Sequence, residues 1–298
     1  MARVQANGIA IEYEEIGDRT APAMLLVMGL GAQLTFWPDE FCQGLADAGF
    51  RVIRYDNRDV GLSQKFAEAG VPDFGATMAK AMAGEHVPAP YLLEDMAADA
   101  VGLLDTLGID KAHVVGASMG GMISQIIAAE YPRRSASLVS IMSTSGRRDL
   151  PPGKPEALQA LMSRPDNPND REALIRHSMR VSRIIGSPGF PPDETDQYQR
   201  IARNIDRAYY PEGMARQFAA ILASGSRVEL LKTIRVPTLV VHGADDPLVP
   251  VEGGKDTAAH VPGAELKIVP GMGHGLEPGV VPILVQSIAD YCRQRETA

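Results

Sequence analysis

His113-Val-Val-Gly-Ala-Ser118-Met-Gly-Gly121 is the stretch that decides how this chain folds. An apolar run, Ala112–Val115, leads into Gly116. A helical pattern then begins behind Ser118 and stops near Tyr131, because Pro132 disfavours helix in the residue before it. A chain that turns this abruptly from buried strand to helix has no room for side chains beside the turn, hence Gly116 and Gly120. Such a turn strains the backbone at Ser118 but lifts its hydroxyl clear of the sheet. It also aims the N–H groups and positive dipole end of the helix at that oxygen. Gly-x-Ser-x-Gly by itself also describes an ordinary helix start with serine as N-cap. The strand before it and the helix after it favour the strained turn.

Outward from this turn, the same alternation repeats. Ala23–Met28, Arg51–Tyr55, Leu138–Met142, Thr238–His242 and Leu266–Val269 are further short runs rich in Val, Leu and Ile, as buried strands require. Asn7-Gly8 between Val4–Ala6 and Ile9–Tyr13 predicts an opening antiparallel hairpin. In Leu92–Leu107, Leu93, Met96, Ala97, Ala100, Leu103, Leu104 and Leu107 share one helical stripe, and Gly108 is the stop. Alternating strand and helix predicts an α/β fold with a mainly parallel central sheet flanked by helices.

The alternation breaks at 65–91, a short Gly/Pro/Ala-bearing excursion, and at 147–230. The second block holds no convincing strand and reads as several proline-punctuated helices, one of them Arg171–Ile185 capped by Asn169-Asp170. Its many arginines, from Arg147 to Arg227, read as solvated helix faces. The expected organisation is a core built from 1–146 and 231–298, with 147–230 as an inserted helical cap that sets specificity.

At 298 residues and 45% hydrophobic, the chain can bury a sizeable core. Its formal charge of -8 argues against nucleic acid or an anionic membrane surface as partner. No apolar stretch has the length of a membrane span or a signal peptide. Cys42 and Cys292 stand alone in non-motif surroundings, which favours reduced thiols and a cytoplasmic location.

A serine hydroxyl is a weak nucleophile, so Ser118 needs a base and a group to orient that base. Of six histidines, His274 alone sits in a Gly-rich loop behind a predicted strand, Val269-Pro-Gly-Met-Gly-His274-Gly. His113 and His242 fall within strands, His177 and His260 on helices, and His86 in the excursion; these five read as structural. The orienting carboxylate should follow the strand before, where Thr238-Leu-Val-Val-His-Gly-Ala-Asp245-Asp246-Pro-Leu-Val-Pro250 offers two candidates. Acyl transfer also needs donors for the developing oxyanion. The turn supplies the backbone N–H of Met119, and Met28-Gly29-Leu30-Gly31 should supply a second. No HExxH, Cys/His cluster or phosphate-binding loop suggests a metal or a nucleotide, so no cofactor is expected.

The order Ser118, aspartate, His274 resembles the α/β-hydrolase superfamily. Its pattern G-x-x-D-x-x-V-P aligns Gly243, Asp246, Val249 and Pro250, which favours Asp246 over Asp245; Asp245 is left to brace its own turn. The family's His-Gly-X segment maps X onto Leu30, with Met28 in place of the histidine. Arg54-Tyr-Asp56-Asn-Arg58-Asp59-Val-Gly61-Leu-Ser63 is similar to the family's D-x-R-G-x-G-x-S, with Asp59 where the first glycine stands. That turn reads as structural, braced by Asp56 and Arg58. Met28-Gly, Trp37-Pro-Asp-Glu, Arg54-Tyr-Asp-x-Arg-Asp and Pro270-Gly-Met-Gly-His274 resemble the aclacinomycin methylesterase group. That group cleaves carboxylic methyl esters on polyketide aglycones; the resemblance lies in the core and leaves substrate identity to the cap.

A serine at the turn, rather than a carboxylate, excludes alkyl-enzyme chemistry of the dehalogenase and epoxide-hydrolase type. It leaves the hydrolysis of small to medium soluble carboxylic esters first. Lactone, thioester or C–C hydrolysis and perhydrolysis share the same apparatus. A non-catalytic ligand-binding protein is the competing class, but such a protein would be expected to lack one of Ser118, Asp246 and His274. Expected pocket walls are Phe36, Trp37 and Met142 from the core, with Met162 and Met179 from the cap.

Overall fold

Asn7 and Gly8 take φ of 48° and 76°, the left-handed pair that a two-residue turn between right-twisted strands requires. They join β1 (Ala2–Ala6) to β2 (Ile9–Ile16) in antiparallel register, Ala6 opposite Ile9. The computed structural model describes residues 1–296. Behind the hairpin come β3 (Ala23–Val27), α1 (Asp39–Asp47), β4 (Arg51–Tyr55), α2 (Phe74–Ala83) and α3 (Leu93–Thr106). The decisive stretch forms β5 (Ala112–Ala117) and α4 (Met119–Glu130), followed by β6 (Ser135–Ile141). Next come the inserted helices α5 (Pro155–Met162), α6 (Arg171–Ile185), α7 (Glu194–Arg207), α8 (Pro211–Ser224) and α9 (Val228–Leu231). The chain then returns through β7 (Thr238–Gly243), α10 (Val251–His260), β8 (Glu265–Val269) and α11 (Val281–Glu296). Among the described residues no helix is long and apolar enough to cross a membrane.

The eight strands form one sheet in the order β1-β2-β4-β3-β5-β6-β7-β8. Only β1–β2 and β2–β4 pair antiparallel; β4, β3, β5, β6, β7 and β8 run parallel. β3 shows how its sequence fixes this layering. All five residues are buried, and their period of two sends Leu25 and Val27 into one apolar core, Met24 and Leu26 into the other. The first core is closed by α3 and α4, the second by α1 and α11. Burying each of these leucines contributes about 1.5–3 kcal/mol. Arg51–Tyr55 coincides with β4, while other expected strand ends differ by up to three residues: β2 runs on to Ile16 rather than Tyr13, and β6 starts at Ser135 rather than Leu138. Ser135 and Ser137 are polar yet fully buried, so an apolar pattern understates the strand there.

The cap arginines correct one expectation. Arg171, Arg176 and Arg183 do lie on exposed faces, but Arg207, Arg216 and Arg227 point inward. Arg216 is fully buried and grips the Asp59 carboxylate through Nε (2.8 Å) and Nη2 (2.9 Å). Arg207 Nη2 lies 2.8 Å from Asp56 Oδ2. Arg227 donates to Gln125 Oε1 and to the Thr144 carbonyl, and burial pulls it down to about 10. A charge this deep is tolerated only when paired or hydrogen-bonded, and here the partners come from the core: Asp56 and Asp59 behind β4, Gln125 on α4 and Thr144 behind β6. Hydropathy along α7 and α8 carries no trace of that long-range pairing.

The turn around Asp59 explains its aspartate. Asp59 takes φ of 67°, the conformation in which the related motif carries glycine. Its carboxylate accepts from Phe66 N–H (2.8 Å) and Tyr91 Oη (2.7 Å) as well as from Arg216. Arg58 forms its own pair with Asp99, 2.6 Å through Nε and 2.8 Å through Nη2. Removing one member of the buried Asp59–Arg216 pair strands the other. Arg216→Met is therefore expected to cost about 3–5 kcal/mol in urea unfolding. The double variant Asp59→Gly/Arg216→Met should recover part of that loss, because glycine suits the left-handed position while Phe66 N–H and Tyr91 Oη lose their acceptor. A double variant no more stable than Arg216→Met would contradict the pairing as the cause.

Candidate active site

Ser118 stands between β5 and α4 with φ 56° and ψ -121°. A side chain at Gly120 would meet the Val27 carbonyl at 1.9 Å, and one at Gly116 would meet the Gly120 carbonyl at 2.1 Å. Those approaches, rather than loop flexibility, are why both flanking positions must be glycine. The turn is pinned by Ser118 N–H to the Ile141 carbonyl (2.9 Å) and by Ser143 Oγ donating to the Ser118 carbonyl (2.8 Å).

β7 and β8, on the same side of Ser118, end in the two loops that face it. Asp246 follows β7, and His274 follows β8. His274 Nε2 is 3.0 Å from Ser118 Oγ, and His274 Nδ1 is 2.7 Å from Asp246 Oδ2. With Nδ1 protonated toward the carboxylate, Nε2 is left to accept the Ser118 proton. The other Asp246 oxygen accepts from Leu248 N–H (2.9 Å) and Val249 N–H (2.8 Å). Burial pushes the Asp246 carboxyl up, but the His274 imidazole, nearby His242 and the Val249 N–H outweigh it. The net result holds Asp246 well below the usual carboxylate range. Asp246 thus stays anionic wherever the imidazole needs a counter-charge.

The other candidates take different places. Asp245 does not cap its own turn: Oδ2 accepts from Gly271 N–H at 2.8 Å, bracing the histidine loop from behind. His242 does more than pack, since Nε2 donates to the Val249 carbonyl (2.8 Å) and lies 3.6 Å from Asp246 Oδ2. His113 Nδ1 meets Ser137 Oγ at 2.8 Å deep in the sheet. Met119 opens α4 directly behind Ser118, so its N–H is an end-of-helix donor. Leu30 lies in the loop behind β3, and Gly29 in that loop packs against Ser118.

Among the expected pocket walls, Trp37 is displaced: it is fully buried and stacks on Phe41 with centroids 5.0 Å apart. Met142 is nearly buried, Met179 half-buried, and Phe36 and Met162 exposed. A cavity of about 510 Å³ opens between the cap and the backs of the acid and base loops, at Lys154, Ser182, Arg183, Asp245 and Glu277. Among the described residues no group of three or more His, Cys, Asp or Glu has the geometry to hold a metal ion.

Sequence reading missed the residues that carry the loops. His274 N–H donates to the Ile185 carbonyl at the end of α6 (2.8 Å), and Gly273 N–H to Ser187 Oγ (2.9 Å). Ser187 in turn donates to Glu277 Oε2 (2.6 Å). The cap therefore touches the base loop itself, and a core freed of 147–230 would lose these supports. The one signal available was Glu277, a carboxylate close behind His274 in an otherwise apolar segment.

A family profile described as alpha/beta hydrolase fold matches residues 22–276. Rhodomycin D methylesterase of Streptomyces sp. strain C5 is 28% identical over 97% of each chain. 3-Oxoadipate enol-lactonase 2 of Acinetobacter baylyi is 25% identical over 89% of this chain and 86% of its own. The solved esterase of Exiguobacterium antarcticum shares the fold, with a TM-score of 0.75 at 21% identity over 98% of both chains.

The adjacent aspartates give a direct test of the geometry. Asp246→Asn replaces the acceptor at His274 Nδ1 with a group that can present N–H to it. Loss of the oriented tautomer is expected to lower kcat by about 10⁴. Asp245→Asn keeps an acceptor for Gly271 N–H and should cost less than about tenfold. Steady-state kinetics on an activated ester decide it; equal losses would contradict the assignment.

Proposed function

The chain belongs to the α/β-hydrolase fold family, and from that membership we propose that it is a carboxylic ester hydrolase working through an acyl-enzyme on Ser118. The observation that carries this reading is the unbroken relay from Ser118 Oγ through His274 to Asp246. In the first half-reaction His274 Nε2 takes the Ser118 proton as Oγ bonds to the ester carbonyl carbon. The oxyanion forms facing the N–H groups of Met119 and Leu30. On collapse, the C–O bond to the alcohol breaks and His274 returns the proton to the departing alkoxide. A water, deprotonated by the same nitrogen, then splits the acyl-serine into acid and free Ser118. Asp246 remains ionised throughout and stabilises the imidazolium.

The methylesterase relative is named for a rhodomycin ester, and we carry methyl esters of bulky carboxylic acids to this chain as the first class to assay. Small and medium soluble esters are the wider class. Phe36, Met142, Met162 and Met179 are its proposed pocket walls, with Trp37 withdrawn to the core. Met214 on α8, which packs on Gly31 beside Leu30, joins them. We assign the protein to the cytoplasm on its thiols: Cys42 is buried beside Arg54, and burial pushes it up to about 12, as suits a thiol kept reduced.

Ser118→Ala should fold as the parent does and lose about four to six orders of magnitude in kcat. A fluorophosphonate probe should label the parent at Ser118 and leave the variant unlabelled. Retention of more than about a hundredth of the parent rate, or labelling that survives the substitution, would place the nucleophile elsewhere.

A further inference from the structure

We propose that Gln217, on cap helix α8, is a positioning residue for the oxyanion donor Leu30. The proposal rests on the serine-esterase reading above and says where that reaction gets part of its geometry.

The loop behind β3 must hold one peptide plane, Gly29–Leu30, at a fixed tilt. Gly29 C=O accepts from Ala32 N–H at 3.3 Å. In a trans peptide the N–H points opposite to the C=O, so Leu30 N–H is turned away from Ala32. The planes on either side are held by two side-chain carboxamides. Met28 C=O accepts from Asn57 Nδ2 at 2.9 Å, and Gly31 N–H donates to Gln217 Oε1 at 2.8 Å. Met28 itself offers no polar side chain to brace the loop from within. The brace comes from outside it.

Gln217 is suited to this by chemistry and by anchorage. Its side chain is fully buried, and its Nε2 donates to the Arg58 carbonyl at 2.8 Å. One neutral amide thus accepts from the loop behind β3 and donates to the loop behind β4, locking the two together. A carboxylate could only accept, and an ammonium only donate. The helix carrying it cannot drift, because the adjacent Arg216 is clamped on Asp59 and also reaches Gly70 C=O (2.7 Å) and Tyr210 Oη (2.8 Å). A second tie runs to the same loop from α7: Gln33 Nε2 donates to the Asn204 and Ala208 carbonyls, both at 2.7 Å. An oxyanion donor acts on charge that develops in the transition state, so loosening it should slow turnover more than it weakens substrate binding.

The test compares Gln217→Met, which removes both hydrogen bonds at nearly constant length, with Gln217→Glu, which restores the acceptor for Gly31. Rates are taken per site titrated with the fluorophosphonate, on an activated ester, alongside inhibition by a trifluoromethyl ketone whose serine adduct carries the oxyanion. For Gln217→Met, kcat should fall about tenfold or more while KM moves by less than about threefold. Affinity for the ketone should fall by the same factor as kcat/KM, and Gln217→Glu should recover part of both. If Gln217→Met does not fold, Gln217→Asn, too short to reach Gly31, takes its place. A folded loss-of-bond variant with kcat and ketone affinity within about twofold of the parent would overturn the role of Gln217. A parent that the fluorophosphonate does not label would instead overturn the esterase reading on which it rests.

Discussion

Ser118 sits at φ 56° and ψ -121°, a conformation costing about 1–3 kcal/mol for a residue with a side chain, and its surroundings leave it nowhere else to go. Val27 and Gly120 are too close for any Cβ between them. β5 lies between β3 and β6, so the turn emerges mid-sheet, where loops from β3, β7 and β8 can all reach it. The same strain that exposes the hydroxyl sets the direction of α4, and with it the Met119 N–H. With the turn fixed, Asp246 and His274 meet it from the side of β7 and β8.

The cap is tied to this machinery rather than laid over it. α6 ends at carbonyl and hydroxyl groups that accept from His274 and Gly273. α7 and α8 send Arg207, Arg216 and Gln217 into the loops behind β3 and β4. These contacts are polar, buried and fully directional, so they specify a single docking of the cap in a way that apolar packing would not. A change of cap sequence that moves α8 therefore also moves the loop behind β3 that Gln217 holds at Gly31.

Much of this was legible in the sequence, and what was not has a physical cause. The hairpin at Asn7-Gly8, the stripe on α3 and the turn at Ser118 are local rules in which a few residues fix the backbone. That an aspartate behind β7 would meet His274 was readable because both follow strands, and strand ends in a parallel sheet share one edge; the choice of Asp246 over Asp245 came from the resemblance to the family's G-x-x-D-x-x-V-P pattern. Gln217, Ser187 and the Asp59–Arg216 pair were hidden because each depends on partners more than eighty residues away. A buried arginine and an exposed one look alike along a helix until the partner is in place. Trp37 was misplaced for a related reason: a large aromatic near a site suits a pocket wall and a core equally, and only its stack on Phe41 separates them.

The central claim is covalent: the acyl group rests on Ser118 between two half-reactions. Rapid acid quenching of the enzyme with a p-nitrophenyl ester, followed by peptide mass spectrometry, measures that state directly. The account predicts a p-nitrophenolate burst close to one per enzyme, with the mass of the acyl group on the peptide containing Ser118 and on no other. A full burst with the acyl group on another residue, or with no acyl-peptide at all, would contradict it.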